Sequence, residues 1–183
     1  MALQVEAKLE SNRKRKQYLE LLNKFRAEYF NDPNIKKYKL KHWDSIRSSG
    51  IIPLLLFQNN TPIGCVELTV GNSGPKSILN LTTVYFLPKY RSQGYAYDIY
   101  RFVEAQAERD GMWFGIHIEQ SSLLKNLEKF KQLGFVCADR IADWGTDHHY
   151  NETTWILFSK YYAKRFYPLG NIPKIIENEL EVA

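Results

Sequence analysis

The sequence lacks several features that would place it in a specialised class of protein. No apolar run is long enough to span a bilayer, and no apolar signal-peptide core precedes the first charged residues. Internal repeats, low-complexity tracts, Cys-x-x-Cys pairs and Cys/His zinc spacings are also absent. We therefore expect a cytoplasmic protein with no resident metal and no membrane partner.

Cysteine itself is scarce. Cys65 and Cys137 are the only two in 183 residues, and both lie within apolar runs. Because an unpaired cysteine behaves as a small hydrophobic residue, we expect two buried free thiols.

The composition is that of a folded domain, with 44% hydrophobic and 25% charged residues. We expect N-terminal helices over residues 1–50, a core over 51–160 and a C-terminal extension over 161–183. The net charge of +5 favours an anionic ligand. The basic run "RKRK" at residues 13–16 fits a nucleic-acid contact or a solvated helix face; it has no interleaved aromatic residue, so nucleic acid is not an expected partner. The sequence leaves a homodimer open.

Hydrophobic periodicity predicts an α+β protein. A helix is expected over residues 6–30, a short one over 42–48, and a later helix capped by Ser121 or Ser122 and ended by Gly134. The other elements are expected to be strands at 51–58, 63–70, 78–88, 112–120, 135–141 and 153–159, and a helix from residue 95 that ends near Gly111. Short links predict an antiparallel arrangement of the first three strands, whereas the strand-helix-strand crossover at 78–120 makes the middle strands parallel.

The turn "RSQGYA" joins the strand at 78–88 to the next helix. Backbone N–H groups at a helix start lack intrahelical partners, and the helix dipole adds positive charge there. Gly94 allows a tight turn and close approach of a ligand, while Lys89 and Arg91 add charge. The turn therefore suits a pyrophosphate, although a plain structural corner remains an alternative. It is neither a Walker P-loop nor a Gly-x-Gly-x-x-Gly turn.

The same turn resembles the acetyl-CoA loop of the GNAT superfamily of N-acyltransferases. Arg91, Gly94 and Ala96 match the pattern Arg/Gln-x-x-Gly-x-Gly/Ala, the preceding "VYFLPKYR" is similar to the family's strand, and "KFKQLGF" resembles its Tyr-x-x-x-Gly-Phe motif. The order of elements agrees over about residues 51–159. The resemblance implies a mixed, mostly antiparallel sheet with splayed middle parallel strands and flanking helices, and acetyl transfer from acetyl-CoA to an amine of a small molecule or protein.

By position, the resemblance also implies which residues bind the cofactor. Backbone groups of one strand would pair with pantetheine, the loop would hold the pyrophosphate, and two residues of the later helix would complete the pocket. In that order these residues are Tyr85, Phe86 and Leu87; Arg91, Ser92, Gln93, Gly94, Tyr95 and Ala96; and Asn126 and Phe130.

The catalytic side chains have to be argued from the residues themselves, because Phe130 stands where the family's frequent general acid is a tyrosine. Glu67 is the only charge in "IGCVELTV", and strand alternation places it with Cys65, opposite Val66. A buried carboxylate with a raised pKa would suit a general base, but a solvent-facing residue is an equal alternative.

His117 and Glu119 share one face of "MWFGIHIEQ" near the expected splay and are further candidates, although His117 also fits a structural role. "DHHY" at 147–150 is compatible with a substrate-facing or a plain polar loop, since adjacent histidines rarely bind one ion together. Three hypotheses follow: an N-acetyltransferase, a catalytically weak acetyl-CoA-binding regulatory module, and a nucleic-acid binder using the basic helix.

Overall fold

The computed structural model describes residues 3–73, 76–141, 152–159 and 166–172. These residues form one eight-stranded sheet flanked by helices on both faces. The strands are β1 (Gln4–Glu6), β2 (Ile52–Gln58), β3 (Thr61–Ser73), β4 (Lys76–Phe86), β5 (Trp113–Glu119), β6 (Cys137–Arg140), β7 (Thr154–Phe158) and β8 (Tyr167–Pro168). The longer helices are α1 (Asn12–Tyr29), α2 (Trp43–Ser48), α3 (Tyr95–Arg109) and α4 (Gln120–Gln132), and short 3₁₀ helices occupy Leu40–His42, Pro88–Tyr90 and Leu169–Asn171.

The sheet order is β1-β2-β3-β4-β5-β7-β6-β8. Every neighbouring pair is antiparallel except β4 and β5, which are parallel and joined through α3. The predicted mixed α+β sheet with a central parallel pair is therefore confirmed. Asn59 and Asn60 form the two-residue turn between β2 and β3 with positive φ angles of 49° and 61°, which asparagine tolerates better than most residues.

Strand alternation divides the core between the two faces of the sheet. Cys65 packs with Tyr18 of α1 and Trp43 of α2 on one face. Val66 packs on the other face with the buried stripes of α3 and α4, which include Val103 and Leu123. The β4–β5 boundary therefore lies between the two helical layers.

The sheet splays at this boundary. The parallel ladder runs from Ile78 and Trp113 to Leu81 and Ile116, where it ends. Beyond that point the structure gives β4 a partner only in β3, and β5 only in β7. A bulge coincides with the separation, because Glu67 pairs with Thr83 while Leu68 pairs with Leu81. The expected splay is confirmed, and it opens a gap that reaches both faces.

Some element boundaries differ from the sequence-based expectation. The first helix starts at Asn12 with Ser11 as N-cap, since residues 4–6 pair with β2 as a short edge strand instead. The predicted cap of α4 is wrong. The helix starts at Gln120, and the side chain of its N-cap residue, Glu119, makes no capping hydrogen bond. Glu152 serves in its place, because its carboxylate accepts hydrogen bonds from the backbone N–H and hydroxyl of Ser121.

Helix ends at glycine follow the prediction. Gly111 and Gly134 follow α3 and α4 with φ of 66° and 91°, the left-handed conformation that glycine adopts at little cost. Within the predicted C-terminal extension, residues 166–172 pair through β8 with β6 and bury Phe166 and Ile172.

Candidate active site

The gap between β4 and β5 is part of an open cleft of about 1290 Å³. Walls come from α1 and α2, the ends of β4 and β5, the loop before α3, and the facing side of α4. Leu87 is the one predicted site residue that does not line the cleft. The predicted residues that do line it are Glu67, Tyr85, Phe86, Arg91, Ser92, Gln93, Gly94, Tyr95, Ala96, His117, Glu119, Asn126 and Phe130.

The loop at residues 91–96 leaves the start of α3 open. Ser92 and Gly94 have φ angles of 60° and 84°, and Gly94 is the N-cap of a helix that no side chain caps. The backbone N–H groups of Tyr95 and Ala96 therefore remain as first-turn donors. A Cβ built on Gly94 would meet no heavy atom within 4 Å, so there is space above the loop. This geometry suits a phosphate group.

Arg91 is turned toward α1. Its guanidinium forms an ion pair with Glu28 and donates a 2.8 Å hydrogen bond from Nε to the Phe86 carbonyl. Glu28 also accepts a 2.6 Å hydrogen bond from the Tyr85 hydroxyl. Burial would raise the pKa of Glu28, but these hydrogen bonds outweigh it and lower that pKa. Arg91 thus fixes the loop to β4 and α1, and a phosphate would rely mainly on backbone donors.

Beyond Leu81, successive residues of β4 direct their main-chain N–H and C=O groups alternately toward β3 and toward the gap. Leu87 N–H donates to the Ile63 carbonyl of β3 at 2.9 Å, so Leu87 and, two residues earlier, Tyr85 direct their main chains toward β3. Val84 and Phe86 therefore direct theirs toward the gap. Of the three strand residues expected to pair with pantetheine, Phe86 alone directs its main-chain groups toward the gap. Val84, which was not among the expected residues, does so too.

Glu67 lies at the bulge, half-buried beneath α1. Its carboxylate accepts hydrogen bonds from Tyr18 Oη at 3.1 Å and from Thr83 Oγ1 at 2.8 Å. Burial raises the pKa of Glu67, and the hydrogen bonds from Thr83 and Tyr18, together with the charge of Arg26, moderate that rise. Burial therefore makes this carboxylate a better proton acceptor than an exposed one.

His117 and Glu119 line the cleft at the end of β5. Burial lowers the pKa of His117 to about 4, so this imidazole is neutral and only weakly basic at neutral pH. Glu119 accepts a hydrogen bond from the hydroxyl of Tyr29, at the end of α1. The contact joins the end of α1 to the end of β5 across the cleft.

Comparisons with known proteins agree with this geometry. A family model for the acetyltransferase (GNAT) family matches residues 17–135. The chain belongs to the GNAT family. A search of curated proteins gives no significant match.

Solved structures similar to this GNAT chain share its fold at low sequence identity. A GNAT acetyltransferase from Staphylococcus aureus has a TM-score of 0.60 and 14% identity, covering 87% of this chain and 100% of that one. Naa50 from Arabidopsis thaliana, bound to the bisubstrate analogue CoA-Ac-MVNAL, has a TM-score of 0.58 and 12% identity, with 88% and 100% covered. The PaiA N-acetyltransferase of Thermoplasma acidophilum with coenzyme A has a TM-score of 0.55 and 14% identity, with 88% and 100% covered.

Phe130 of this GNAT protein is part of the core beside the cleft. Its side chain is 4% exposed, and its ring centroid lies 6.0 Å from that of Tyr100 and 5.9 Å from that of Phe135. Burial raises the pKa of Tyr100 to about 12. Asn126 kinks α4, with φ −120° and ψ 15°, and donates to the Ser122 carbonyl at 2.9 Å.

Other sequence-based candidates lie away from the cleft or outside the described residues. In the basic run, Lys14 pairs with Glu6, and Arg15 donates to the Leu9 carbonyl while its guanidinium lies 5.4 Å from the Trp43 ring centroid. The "DHHY" loop falls outside the described residues. Among the residues described, no three metal-ligating side chains form a cluster, and no helix has the length and apolar character needed to cross a membrane.

Sequence reasoning missed Tyr18, Glu28 and Tyr29 as site residues. All three belong to α1 and reach partners on strands far along the chain. Their helical periodicity indicates which face of α1 is buried, but it does not indicate which polar groups lie beneath that face.

Proposed function

We propose that this GNAT protein transfers an acetyl group from acetyl-CoA to a primary amine by direct attack of the amine on the thioester. The observation that carries the proposal is the splayed β4–β5 gap, which joins an uncapped helix start to a half-buried carboxylate within one cleft. A plain strand-turn-helix corner would need neither the gap nor the carboxylate.

The residues present fit acetyl-CoA. The N–H groups at the start of α3 and the space above Gly94 suit the pyrophosphate. Main-chain groups of Val84 and Phe86, directed to the gap, suit the amide groups of pantetheine. When bound, acetyl-CoA supplies the thioester carbonyl that the amine attacks, and CoA departs as the thiolate.

Glu67 is the proposed general base. It can take the amine's proton directly or through a water, because burial raises its pKa toward the range in which a carboxylate is an effective base. His117 is a weaker candidate, since its pKa of about 4 favours the neutral form without making it a strong acceptor. Glu119 adds a second carboxylate on the side of the cleft that faces α1, which is the proposed acceptor side.

Direct transfer is favoured over a covalent acyl-enzyme. Cys65 and Cys137 are both buried, as expected, no disulfide joins them, and neither lines the cleft. Burial raises the pKa of both thiols, that of Cys137 to about 12. Thiolates at these positions would be scarce and remote from the thioester.

A second candidate function is a regulatory module that binds acetyl-CoA with little catalysis. The observation that favours it is Phe130, whose buried ring has no hydroxyl to protonate the departing thiolate. In this case the cofactor would bind without turnover.

Two measurements test these functions. Thermal unfolding with acetyl-CoA tests the pocket, and we expect a stabilisation of about 2.7 kcal/mol at a hundredfold excess over Kd. Release of CoA thiol in the presence of primary amines then separates the enzyme from the binding module. Stabilisation without thiol release would favour the module, and no stabilisation at millimolar acetyl-CoA would refute both functions.

Two matched variants assign the base. Glu67→Gln should lower kcat by roughly a hundredfold or more, typical of losing a general base, and leave acetyl-CoA affinity unchanged. Glu20→Gln, a change at an exposed position of α1, is the control and should behave as the parent protein. Full activity of Glu67→Gln would show that Glu67 is not the base and that another group takes the proton.

A further inference from the structure

The acceptor side of the cleft has its own chemical character. Glu67 and Glu119 both line it, and within the described ranges neither enters an ion pair; their recorded partners are the hydroxyls of Tyr18, Thr83 and Tyr29. Glu28, the other cleft carboxylate, is already paired with Arg91. The charge of Arg26 reaches Glu67, so Glu119 is the carboxylate of this side that a cationic ligand can pair with.

Aromatic side chains line the same side of the cleft. Phe30 and Tyr38 line the cleft while remaining 43% and 37% exposed, among the largest exposed hydrophobic groups of the described structure. Phe25 stacks on Tyr29 with ring centroids 5.4 Å apart, next to the hydroxyl that reaches Glu119. Exposed aromatic surface inside a cleft favours a ligand with a large apolar group.

Arg26 argues against an acceptor with several positive charges. Its guanidinium lies 4.3 Å from the ring centroid of Tyr38 and donates to the Lys36 carbonyl at 2.7 Å. A second cationic group at this position would face the guanidinium. The arrangement therefore fits one ammonium group beside one apolar group.

We infer that the acceptor is a monoamine whose ammonium group is held by Glu119 and whose neighbouring apolar group packs on Phe30 and Tyr38. This inference rests on the proposed function and specifies its substrate class. A free arylalkylamine and a peptide with a large apolar N-terminal residue share this chemistry. Polyamines do not, because their further cationic groups would face Arg26, and lysine side chains offer only a narrow methylene chain to Phe30 and Tyr38.

The test uses the full chain and two readouts. Phenethylamine, ethylamine, spermidine, a peptide with a free N-terminal phenylalanine and the same peptide N-acetylated are titrated into the CoA-saturated protein by calorimetry, and the kcat/KM of each amine is measured by thiol release. We expect phenethylamine or the free peptide to bind at least about tenfold more tightly than ethylamine and spermidine. Whichever of these two ligands binds more tightly shows whether the acceptor is a free arylalkylamine or a peptide N-terminus.

Matched variants locate the subsite. Phe30→Ala should weaken phenethylamine binding about tenfold and leave ethylamine unchanged. Phe102→Ala is the control, because Phe102 is 40% exposed on α3 and does not line the cleft. Glu119→Gln should weaken binding of every cationic amine, whereas acetyl-CoA affinity stays the same.

The two readouts separate the two proposals. Phe30-dependent binding of phenethylamine without thiol release would support the acceptor class and contradict the transferase. Preference for spermidine, no binding of any apolar amine, or equal phenethylamine affinity in Phe30→Ala and Phe102→Ala would overturn the acceptor class. Thiol release with another amine would then leave the transferase standing.

Discussion

The hydroxyl of Thr83 offers the sharpest test of the assigned base. It donates a 2.8 Å hydrogen bond to Glu67 Oε2, and Thr83 is half-buried at the bulge. Valine has nearly the same shape without the hydroxyl. Thr83→Val therefore removes one of the two hydrogen bonds that favour the ionised carboxylate, and Tyr18 keeps the other.

The size of the effect follows from the strength of that bond. A hydrogen bond to a charged group contributes about 1.5–3 kcal/mol, which corresponds to about 1–2 pKa units. Because Glu67 keeps some contact with solvent, we take the lower end. We therefore expect the pKa of Glu67 in Thr83→Val to rise by about one unit.

The assay is the pH profile of kcat/KM, measured by thiol release over about pH 5 to 9. A base acts when it is deprotonated, so activity should rise as the pH passes the Glu67 pKa, and this acid limb should move about one unit higher in Thr83→Val. Thr82→Val is the control, because the Thr82 hydroxyl donates to the main-chain carbonyl of Glu67, at 3.1 Å, rather than to its carboxylate. An unshifted acid limb in Thr83→Val would refute Glu67 as the titrating base.

The same pKa makes a prediction about stability. The pKa of Glu67 is raised in the folded state above its ordinary value of 4.5, so the folded protein keeps a proton that the unfolded chain has lost. The contribution of Glu67 to stability is therefore fully present below pH 4.5 and is lost as pH rises through the raised pKa. Denaturant unfolding at several pH values should show that the free energy of unfolding falls further over this window in Thr83→Val than in the parent protein. In Glu67→Gln the part of the fall that is due to Glu67 should be absent.

Three further substitutions test the cleft. Arg91→Glu should weaken acetyl-CoA binding at least roughly tenfold in calorimetry, because it breaks the ion pair with Glu28 and places a second carboxylate beside it. Gly94→Ala should cost about 1–2 kcal/mol in denaturant unfolding and weaken acetyl-CoA binding, because its φ of 84° disfavours a side chain. Gly64→Ala should destabilise the fold by about 1–3 kcal/mol, since its Cβ would lie 2.3 Å from the Tyr85 carbonyl oxygen.

Each control makes the same kind of substitution at a position where no effect is expected. Lys16→Glu reverses a charge on an exposed part of α1, and Gly170→Ala adds a Cβ that meets nothing within 4 Å. Lys16→Glu should retain acetyl-CoA affinity, and equal weakening by it would contradict a local role for Arg91. A Gly64→Ala protein as stable as Gly170→Ala would contradict the close β3–β4 approach.

Local chemistry explains which parts of the fold could be predicted. The β2–β3 turn depends on consecutive asparagines, the ends of α3 and α4 on glycines, and the parallel pair on a strand-helix-strand order. Each signal lies within a few residues of the feature that it determines. Edge strands β1 and β8 carry no such signal, because they are short and depend on partners distant in the chain.

The site divides in the same way. Glu67 could be predicted because a lone charge in an apolar strand is conspicuous wherever that strand lies. Tyr29 could not, since its contact with Glu119 spans 90 positions in the chain. The proposed pairing of β4 with pantetheine depends on the strand register as well, which places Val84 and Phe86, rather than three consecutive residues, toward the gap.

The two sides of the cleft differ in the polar groups that they offer to the proposed proton transfer. Carboxylates and hydroxyls cluster on the acceptor side, at Glu67, Tyr18 and Thr83, whereas Phe130 makes the opposite wall apolar. An alkylamine has a pKa near the value of about 10.4 for lysine, and a peptide α-amino group has a pKa of about 7.7–8.0, so both are largely protonated near neutral pH. In the proposed transfer either amine has to give a proton to a base, while a thiolate can leave and take its proton from water. The absence of a hydroxyl at Phe130 would therefore cost the proposed transfer less than the loss of the proposed base, Glu67.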